Sequence, residues 1–479
     1  MTKPPPLALT RRAAAAGLAV LVVDLGPRAS AQTSAPVPDK ASAGSESWTT
    51  WTAAPRSLRL RPEPAGETAI WAFDGQAAGP LLRVRHGDEV RLRLMNRTER
   101  PLSLHWHGVR GPNPMDGVGG LTQEPVGPGQ SFDYRFTPPD AGTFLIRPLI
   151  IGGGSEPAGR GLGGLLIVDE RDPPKVDHES ALVVRDWRLE DDGSLAPFGT
   201  ALEAATGGRL GNVLNVNANA APARLEIAPG SRVRLRLANA CNARSMRIRF
   251  DGLKPYVAAI DGQPTDTFEP LRSTLPFSPG TRYDLLLDLP DEAGQSGTIV
   301  GTIGQGLDLV TLTTKGERAS TGRPTLGAIA ALPANRSLPP SVKLQNAQRR
   351  DVVVTGGARR RPDGQPVFDG DPKRIWLVNG AAGIATSPPL LSVKRGSPVV
   401  LALMNQTPVV QPIHLHGHVF RLLHAMDDGW EPYWIDTLQV PEQKTVRIAF
   451  VADNPGKWLL GSTVLERFDT GLWTWFEVT

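Results

Sequence analysis

The sequence predicts an all-β chain of three consecutive Greek-key barrels built from short strands. Three observations carry this. Glycine and proline number 51 and 45 of 479 residues, so turns punctuate the chain too often for long helices. At about 150 residues per domain, the length calls for about three cores. One long sequence unit also occurs three times.

That unit is "LRVRHGDEVRLRLMN", ending at Asn96, then "LEIAPGSRVRLRLAN", ending at Asn239, then "LSVKRGSPVVLALMN", ending at Asn405. In each copy a glycine (Gly87, Gly230, Gly396) stands nine residues before the asparagine. The apolar residues alternating between them predict a strand entered from a turn. The flanks repeat too, with "WAFDG", "LNVNA" and "WLVNG" before the unit and "PGQSFDYRF", "PGTRYDLLLDL" and "PEQKTVRIAF" after it. The asparagines lie 143 and 166 residues apart, the spacing of whole domains. We expect domains at 45–172, 173–325 and 326–479, each a Greek-key barrel or sandwich. "ERASTGRPTLGAIAALPANRSLPPS" reads as the linker into the third.

Residues 1–31 read as an export signal of the twin-arginine type. Arg11–Arg12 precede an apolar stretch from Ala13 to Val23, and Ala29–Ala31 gives a small-residue cleavage pattern. This predicts a periplasmic protein, and no later segment reads as transmembrane. The net charge of +4 is concentrated at that end, where Lys3, Arg11, Arg12 and Arg28 face only Asp24. The remainder is nearly neutral, so charge gives no support for a nucleic-acid partner. Cys241 is the single cysteine, which excludes an internal disulfide and predicts a small buried residue. No G-x-S-x-G elbow occurs. The Gly-rich run from Gly152 to Gly164 lacks the Lys-Ser/Thr ending and the following helix of a phosphate-cradling loop, and reads as a loop leading into "LLIVDE".

The repeat acts as its own control for chemistry. Nine residues past the asparagine lie His105 of "HWHG" in the first copy, Ile248 in the second and His414 of "HLHG" in the third. Equivalent strand positions therefore carry His105/His107, Ile248/Phe250 and His414/His416. Residues two apart on a strand share a face. The apolar middle copy means that the barrel itself does not demand histidine there. Two pairs in the outer copies predict a site between the first and third domains, of a donor type that suits copper or zinc. His86, His178, His418 and His424 have no partner in the repeat and are expected to be surface or structural residues.

With these residues in hand, the chain resembles the multicopper oxidases, the laccase-like family of three cupredoxin domains. "LHWHGVRGPNPMDGVGGLTQEPVGPGQSFDYRF" is similar to the family's first copper segment and its continuation. "QPIHLHGHVF" is similar to the third segment, and "DTLQVPEQKTVRIAFVADNPGKWLLGSTVLERFDTGLW" to the fourth. The resemblance implies one-electron oxidation of phenols or metal ions at a type 1 copper. It also implies a trinuclear cluster that reduces dioxygen, with ligands from four segments.

Carried over position by position, the resemblance gives a degenerate member. His105 and His414 match type 2 ligands, and His107 and His416 match type 3 ligands. Arg147 and Leu149 stand where the second segment has His-x-His. Gln411 stands at the type 1 histidine of the third segment. Gly461, Ser462, Thr463, Arg467 and Leu472 stand at the His-Cys-His, histidine and axial positions of the fourth. A serine hydroxyl cannot replace a copper thiolate. A guanidinium at a ligand position repels a dication, by roughly 8 kcal/mol at ~4 Å and an effective dielectric of ~20. This implies at most one copper ion, at a residual type 2-like site, rather than four. Against it stands a purely packing role for the four histidines, with hydrogen bonds to each other or to Asp116. The vacated positions are expected to be filled by Arg147, Arg467 and water.

Three functions stay open at this point. The first, favoured by the lost ligands, is a non-catalytic pseudoenzyme: an exported binding or scaffold protein with a periplasmic protein partner. The family contains a periplasmic cell-division protein of this fold without copper centres. The second is a mononuclear copper-binding protein using His105, His107, His414 and His416. The third is a laccase-like copper-dependent oxidoreductase.

Overall fold

The computed structural model describes residues 47–76, 79–319, 328–423 and 429–479. The expected signal segment and His424 lie outside them, as does part of the expected linker. No described helix is long and apolar enough to cross a membrane.

The threefold unit folds the same way each time. Its strand is Val90–Asn96, Arg232–Asn239 or Ser397–Asn405. Each pairs in parallel with an earlier strand (Thr49–Leu58, His178–Trp187, Gln348–Gly356) and antiparallel with a later one (Ser131–Phe136, Arg282–Asp288, Thr445–Ala452). A second sheet faces the first in each repeat. Its order is Leu81–Arg85, Gly164–Asp169, Gly142–Pro148, Leu104–His107 in the first and Ser392–Val393, Trp473–Val478, Gly456–Ser462, Gln411–Leu415, Thr437–Val440 in the third. Among the described residues, no sheet mixes strands from two repeats. The architecture is three cupredoxin-like β-domains.

The repeated asparagine turns the corner between the sheets. Asn96, Asn239 and Asn405 are all buried. Each donates its side-chain amide to at least two main-chain carbonyls, Arg100 and Val126 for Asn96, Arg244 and Phe277 for Asn239, and Val409, Val440 and Pro441 for Asn405. Each side-chain oxygen accepts the amide two residues on, from Thr98, Cys241 and Thr407. A buried asparagine with this many partners pins the loop that leads into the histidine strands. Gly87, Gly230 and Gly396 have φ of 103°, 71° and 84°, which explains glycine at the turn before each unit.

Apolar side chains of each strand fill the space between facing sheets. In the first domain Trp51, Phe73, Trp106, Tyr134, Phe136 and Ile146 form this core. A separate cluster joins Val118 and Leu149 of the first domain to Leu459, Leu465, Phe468 and Trp473 of the third. It holds the two histidine strands against each other. The run from Gly152 to Gly164 does contain a helical turn, Ser155–Gly159, contrary to the sequence reading. That turn is capped from another domain, with Asp469 accepting the Gly154 and Ser155 amides at 2.9 Å each. The capping residue lies some 300 positions away in sequence, which is why local sequence gave no helix signal.

Candidate metal centre

Leu104–His107 and Gln411–Leu415 are short, wholly buried strands that meet between the first and third domains. They bring all four histidines together. Ring centroids are 4.0 Å apart for His105 and His416, 3.7 Å for His107 and His414, and 4.7 Å for His414 and His416. All four residues are buried. One donor nitrogen each from His105, His414 and His416 lies within 4.8 Å of the others.

Hydrogen bonds fix which nitrogen is available. His105 Nδ1 donates to the Asp116 carbonyl at 2.8 Å, and His414 Nδ1 to the Asp436 carbonyl at 2.9 Å. A carbonyl only accepts, so each ring keeps its lone pair on Nε2. His416 Nδ1 donates to Asp116 Oδ2 at 2.9 Å, which leaves its Nε2 lone pair as well. Thr437 Oγ1 donates to Asp436 Oδ1 at 2.7 Å and accepts from His107 Nε2 at 3.0 Å, so the His107 lone pair sits on Nδ1. The Nε2 atoms of His105 and His414 are buried and have no hydrogen-bond partner among the described residues.

Burial dominates the electrostatics of this region. Burial pushes the pKa of His107, His414 and His416 down, that of His416 to about 3. Burial would raise the Asp116 carboxyl, but His416 and His105 beside it hold it well below the usual carboxylate range. Asp436 is likewise held low, against its burial, by Arg282 and His414. Asp261, buried and next to Asp436, is pushed up to about 7. Asp116 and Asp436 thus brace the histidine cluster, and Asp261 holds the Asp436 segment by accepting the Asp436 and Thr437 amides.

Two glycines permit this packing. Gly108 (φ 94°) follows His107, and a Cβ there would collide with the Arg282 guanidinium. Gly117 (φ 80°) follows Asp116, and its Cβ would collide with the Leu104 carbonyl. Both motifs, "HWHG" and "MDG", need glycine at those positions.

The other singled-out residues fall into two groups. Arg147, Leu149, Gly461, Ser462 and Thr463 line a cavity of about 10 Å³ together with the four histidines. Arg147 is the cross-strand partner of His105, and Gly461 that of His414. Directly opposed residues share a sheet face, which directs Arg147 into the cavity. Its Nη2 donates to the Thr463 carbonyl at 3.0 Å, while its Nε has no partner among the described residues. Burial lowers its pKa to about 10, so it stays a cation at neutral pH.

Arg467, Gln411 and Leu472 stand outside the cavity lining. Of the two arginines expected at the vacated positions, Arg147 lines the histidine cavity and Arg467 does not. Arg467 reaches away, donating to Gln411 Oε1 at 2.8 Å, to the Val410 carbonyl at 2.7 Å and to the Thr206 carbonyl of the second domain at 3.0 Å. Its guanidinium lies 5.3 Å over the Trp376 ring. Gln411 in turn donates to Thr407 Oγ1 at 3.0 Å. Ser462 Oγ accepts the Val464 amide at 3.1 Å.

His418, expected as a surface or structural residue, is structural. It is fully buried, donates to the His416 carbonyl at 3.1 Å, and packs edge-on to Trp458 and Phe450. His86 and His178 are partly buried and bond to the Pro139 carbonyl and the Ser180 hydroxyl. Cys241 is buried as expected.

Sequence reading missed Arg282, Asp261, Asp436 and Thr437. The signal was a lone charge inside an apolar run, "YWIDTLQV" for Asp436 and "VAAIDGQ" for Asp261.

Three cupredoxin-like domains with facing His-x-His strands define a copper-protein architecture. Sequence models of the multicopper oxidase family match residues 58–173, 189–301 and 358–479. The chain is 28% identical over 442 residues to multicopper oxidase MmcO of Mycobacterium tuberculosis, spanning 84% of this chain and 82% of that protein. It is 33% identical to the solved multi-copper oxidase from Pseudomonas thermotolerans, covering 90% of this chain and 100% of that one with a TM-score of 0.78. Lac15 from a marine microbial metagenome is 31% identical, with a TM-score of 0.73 and coverage of 90% and 100%. The chain belongs to the multicopper oxidase family.

One further buried acid yields a pH prediction. Glu466, beside Arg467, is buried with neither carboxylate oxygen hydrogen-bonded among the described residues. Burial pushes its pKa up from 4.5 to about 7. A folded-state pKa raised in this way stabilises the fold below the unfolded value and loses that contribution as pH rises through the folded one. Between pH 4.5 and pH 7 the loss is about 3 kcal/mol. Glu466→Gln is expected to be more stable than the parent at pH 8 and not at pH 4.5, read from urea denaturation at both values. An identical pH slope in parent and variant would refute the assignment.

Proposed function

We propose that this chain is an exported, mononuclear copper-binding member of its family, in which the residual histidine site takes one metal ion and the four-copper relay is not assembled. The observation that carries this is the pair of buried, unpartnered Nε2 atoms on His105 and His414, converging with His416. Histidines kept for packing alone would have their buried ring nitrogens satisfied, because each lone pair stripped of water costs roughly 1–3 kcal/mol. Three imidazoles whose Nδ1 atoms are bonded to a carboxylate or to carbonyls form a donor set that suits Cu(II) or Zn(II). Bound copper would supply a Lewis-acidic, one-electron redox centre, and Asp116 and Asp436 would hold the ligand rings in place.

The residues at the remaining family ligand positions do not fit copper. Gly461 has no side chain, Leu472 no donor, and Ser462 offers a hydroxyl already engaged with the main chain. Arg467 and Gln411 bond to each other and close the region where a type 1 centre would need histidine and thiolate. Arg147 brings a cation to a type 3 position. Laccase-type electron transfer therefore has no entry site in this reading. The scaffold function, with a periplasmic partner, is the alternative if no metal binds.

The test is copper loading of the mature chain, followed by metal analysis, a visible spectrum and a phenol-oxidation assay. About one copper per chain, no intense blue band and no turnover are expected. A blue band or catalytic turnover would overturn the proposal, and absence of bound metal would leave the scaffold reading.

A further inference from the structure

We propose that the cleft where the three domains meet binds an aliphatic carboxylate, with its chain against apolar walls and its carboxylate at the cationic groups of the lining. The cleft has a volume of about 820 Å³, within the ~300–1,000 Å³ of small-molecule sites, which favour domain junctions. The first domain contributes Arg100, Arg160 and residues 150–153, the second residues 195–201, and the third Pro372, Lys373, Glu466 and Asp469. None of the four histidines lines it, nor does any residue at a family ligand position, so it is separate from the metal centre. The walls select an aliphatic body. Pro101, Ile150, Ile151, Leu195, Ala201 and Pro372 are apolar and offer no aromatic face. The one ring in the lining, Phe198, is covered by the guanidiniums of Arg209 at 3.8 Å and Arg160 at 5.2 Å. An aliphatic chain is driven against such walls without a stacking partner, whereas a bare inorganic anion would leave them wet.

The charges of the lining select an anionic head. Arg100 and Arg160 share one carboxylate, Glu156, at 3.0 and 2.9 Å. Lys373 is exposed and stands in no ion pair among the described residues. Two further acids line the cleft. Asp469 is engaged by the Gly154 and Ser155 amides, and Glu466 has neither oxygen hydrogen-bonded among the described residues. Burial pushes the Glu466 carboxyl up to about 7 and that of Asp469 up to about 6, so both lose charge as pH falls. The charged groups packed behind them are the guanidiniums of Arg147, Arg209 and Arg467, which stay cationic. With both acids protonated, the three cations of the lining face one carboxylate. With both ionised, they face three. The cleft is therefore positive at mildly acidic pH, and a carboxylate entering it meets Lys373 and the Arg100–Arg160 pair as its counter-charges.

The experiment is isothermal titration of octanoate into the metal-free mature chain, which makes the outcome independent of the copper reading. Saturable binding of about one octanoate per chain is expected. Octylammonium, the same chain carrying a cation, should not bind. Lys373→Met removes an exposed cation with no ion-pair partner and should weaken octanoate roughly tenfold, the loss of one hydrogen bond to a charged group. Ile151→Glu, which places a carboxylate on the apolar wall, should abolish binding. Circular dichroism checks that both variants fold. Octanoate should bind about fivefold more tightly at about pH 6 than at about pH 8, where the two acids are ionised, and Glu466→Gln should flatten that dependence. Equal binding of octanoate and octylammonium would mean unspecific adsorption and would overturn the proposal. So would the absence of saturable binding, an affinity unchanged in both variants, or binding to phosphatidylglycerol vesicles with none of free octanoate.

Discussion

A His105→Ala, His414→Ala double variant is expected to lose its copper. These residues supply two of the three histidines whose ring nitrogens converge, and each comes from a different domain. His107 and His416 then remain, and two imidazoles with no positioned third donor hold a divalent ion weakly. Loss of a residue that merely orients a ligand lowers metal affinity about 10–100-fold, so loss of two direct ligands should exceed ~100-fold. Isothermal titration with Cu(II) and metal analysis after dialysis read this directly. A second readout is thermal. A ligand bound only by the native state adds about 2.7 kcal/mol at a concentration 100 times Kd, so copper should raise the melting temperature of the parent and not of the variant. The apo form should change less, since the substitutions also remove two buried lone pairs that lack partners, offsetting the cavities they leave. Retention of about one copper per chain at unchanged affinity would place the metal elsewhere and dissolve the proposed site.

The parts of this molecule legible in sequence are those encoded by short-range pattern. Gly87 and Asn96, with their counterparts in the other two copies, encode a turn, a strand and a corner within about sixteen residues. The whole β-architecture came from finding that unit three times. The nine-residue offset from asparagine to histidine also held physical meaning, because each asparagine pins the loop entering the histidine strand. What stayed hidden is what depends on partners far along the chain. Arg467 reads as an intruder at a ligand position, yet its destination, Thr206 and Trp376, is set by how the second domain docks. The Ser155–Gly159 turn depends on a cap from Asp469. For His418, which has no repeat partner, surface and structural roles stayed open, because the aromatic shell that buries it comes from three other strands. Likewise, Asp116 was expected as a hydrogen-bond partner from proximity to "HWHG", while Asp436 and Arg282 required the fold.

Arg282 is where the second large effect is expected. Its guanidinium is wholly buried and bonds residues of all three domains. Nε donates to the Thr143 carbonyl of the first domain at 3.2 Å. Nη1 and Nη2 donate to the Gly280 and Asp261 carbonyls of the second, each at 2.9 Å. The same two nitrogens clasp Asp436 of the third at 2.9 and 2.6 Å. Arg282→Met keeps much of the volume and removes the charge, leaving Asp436 and Asp261 facing each other without a cation. Breaking a buried pair from one side costs about 3–5 kcal/mol. That is a large share of the ~5–15 kcal/mol that holds a typical domain together. The penalty should depend on pH in a stated direction. Asp261 is pushed up to about 7 even with Arg282 present, so without it both carboxyls titrate higher than in the unfolded chain. Protons then bind the folded state preferentially, and the variant regains stability as pH falls from about 8 toward about 5. Asp436→Asn in the Arg282→Met background should recover part of the loss at the higher pH, because it removes the stranded charge. Urea denaturation of the three proteins at both pH values measures all of this. A loss below ~1 kcal/mol would mean that the clasp is worth no more than an exposed ion pair. A loss independent of pH would mean that packing, rather than charge, explains it. Because Asp436 also holds His414 through its carbonyl, copper affinity should fall alongside stability in Arg282→Met, even though Arg282 contacts no metal-binding nitrogen.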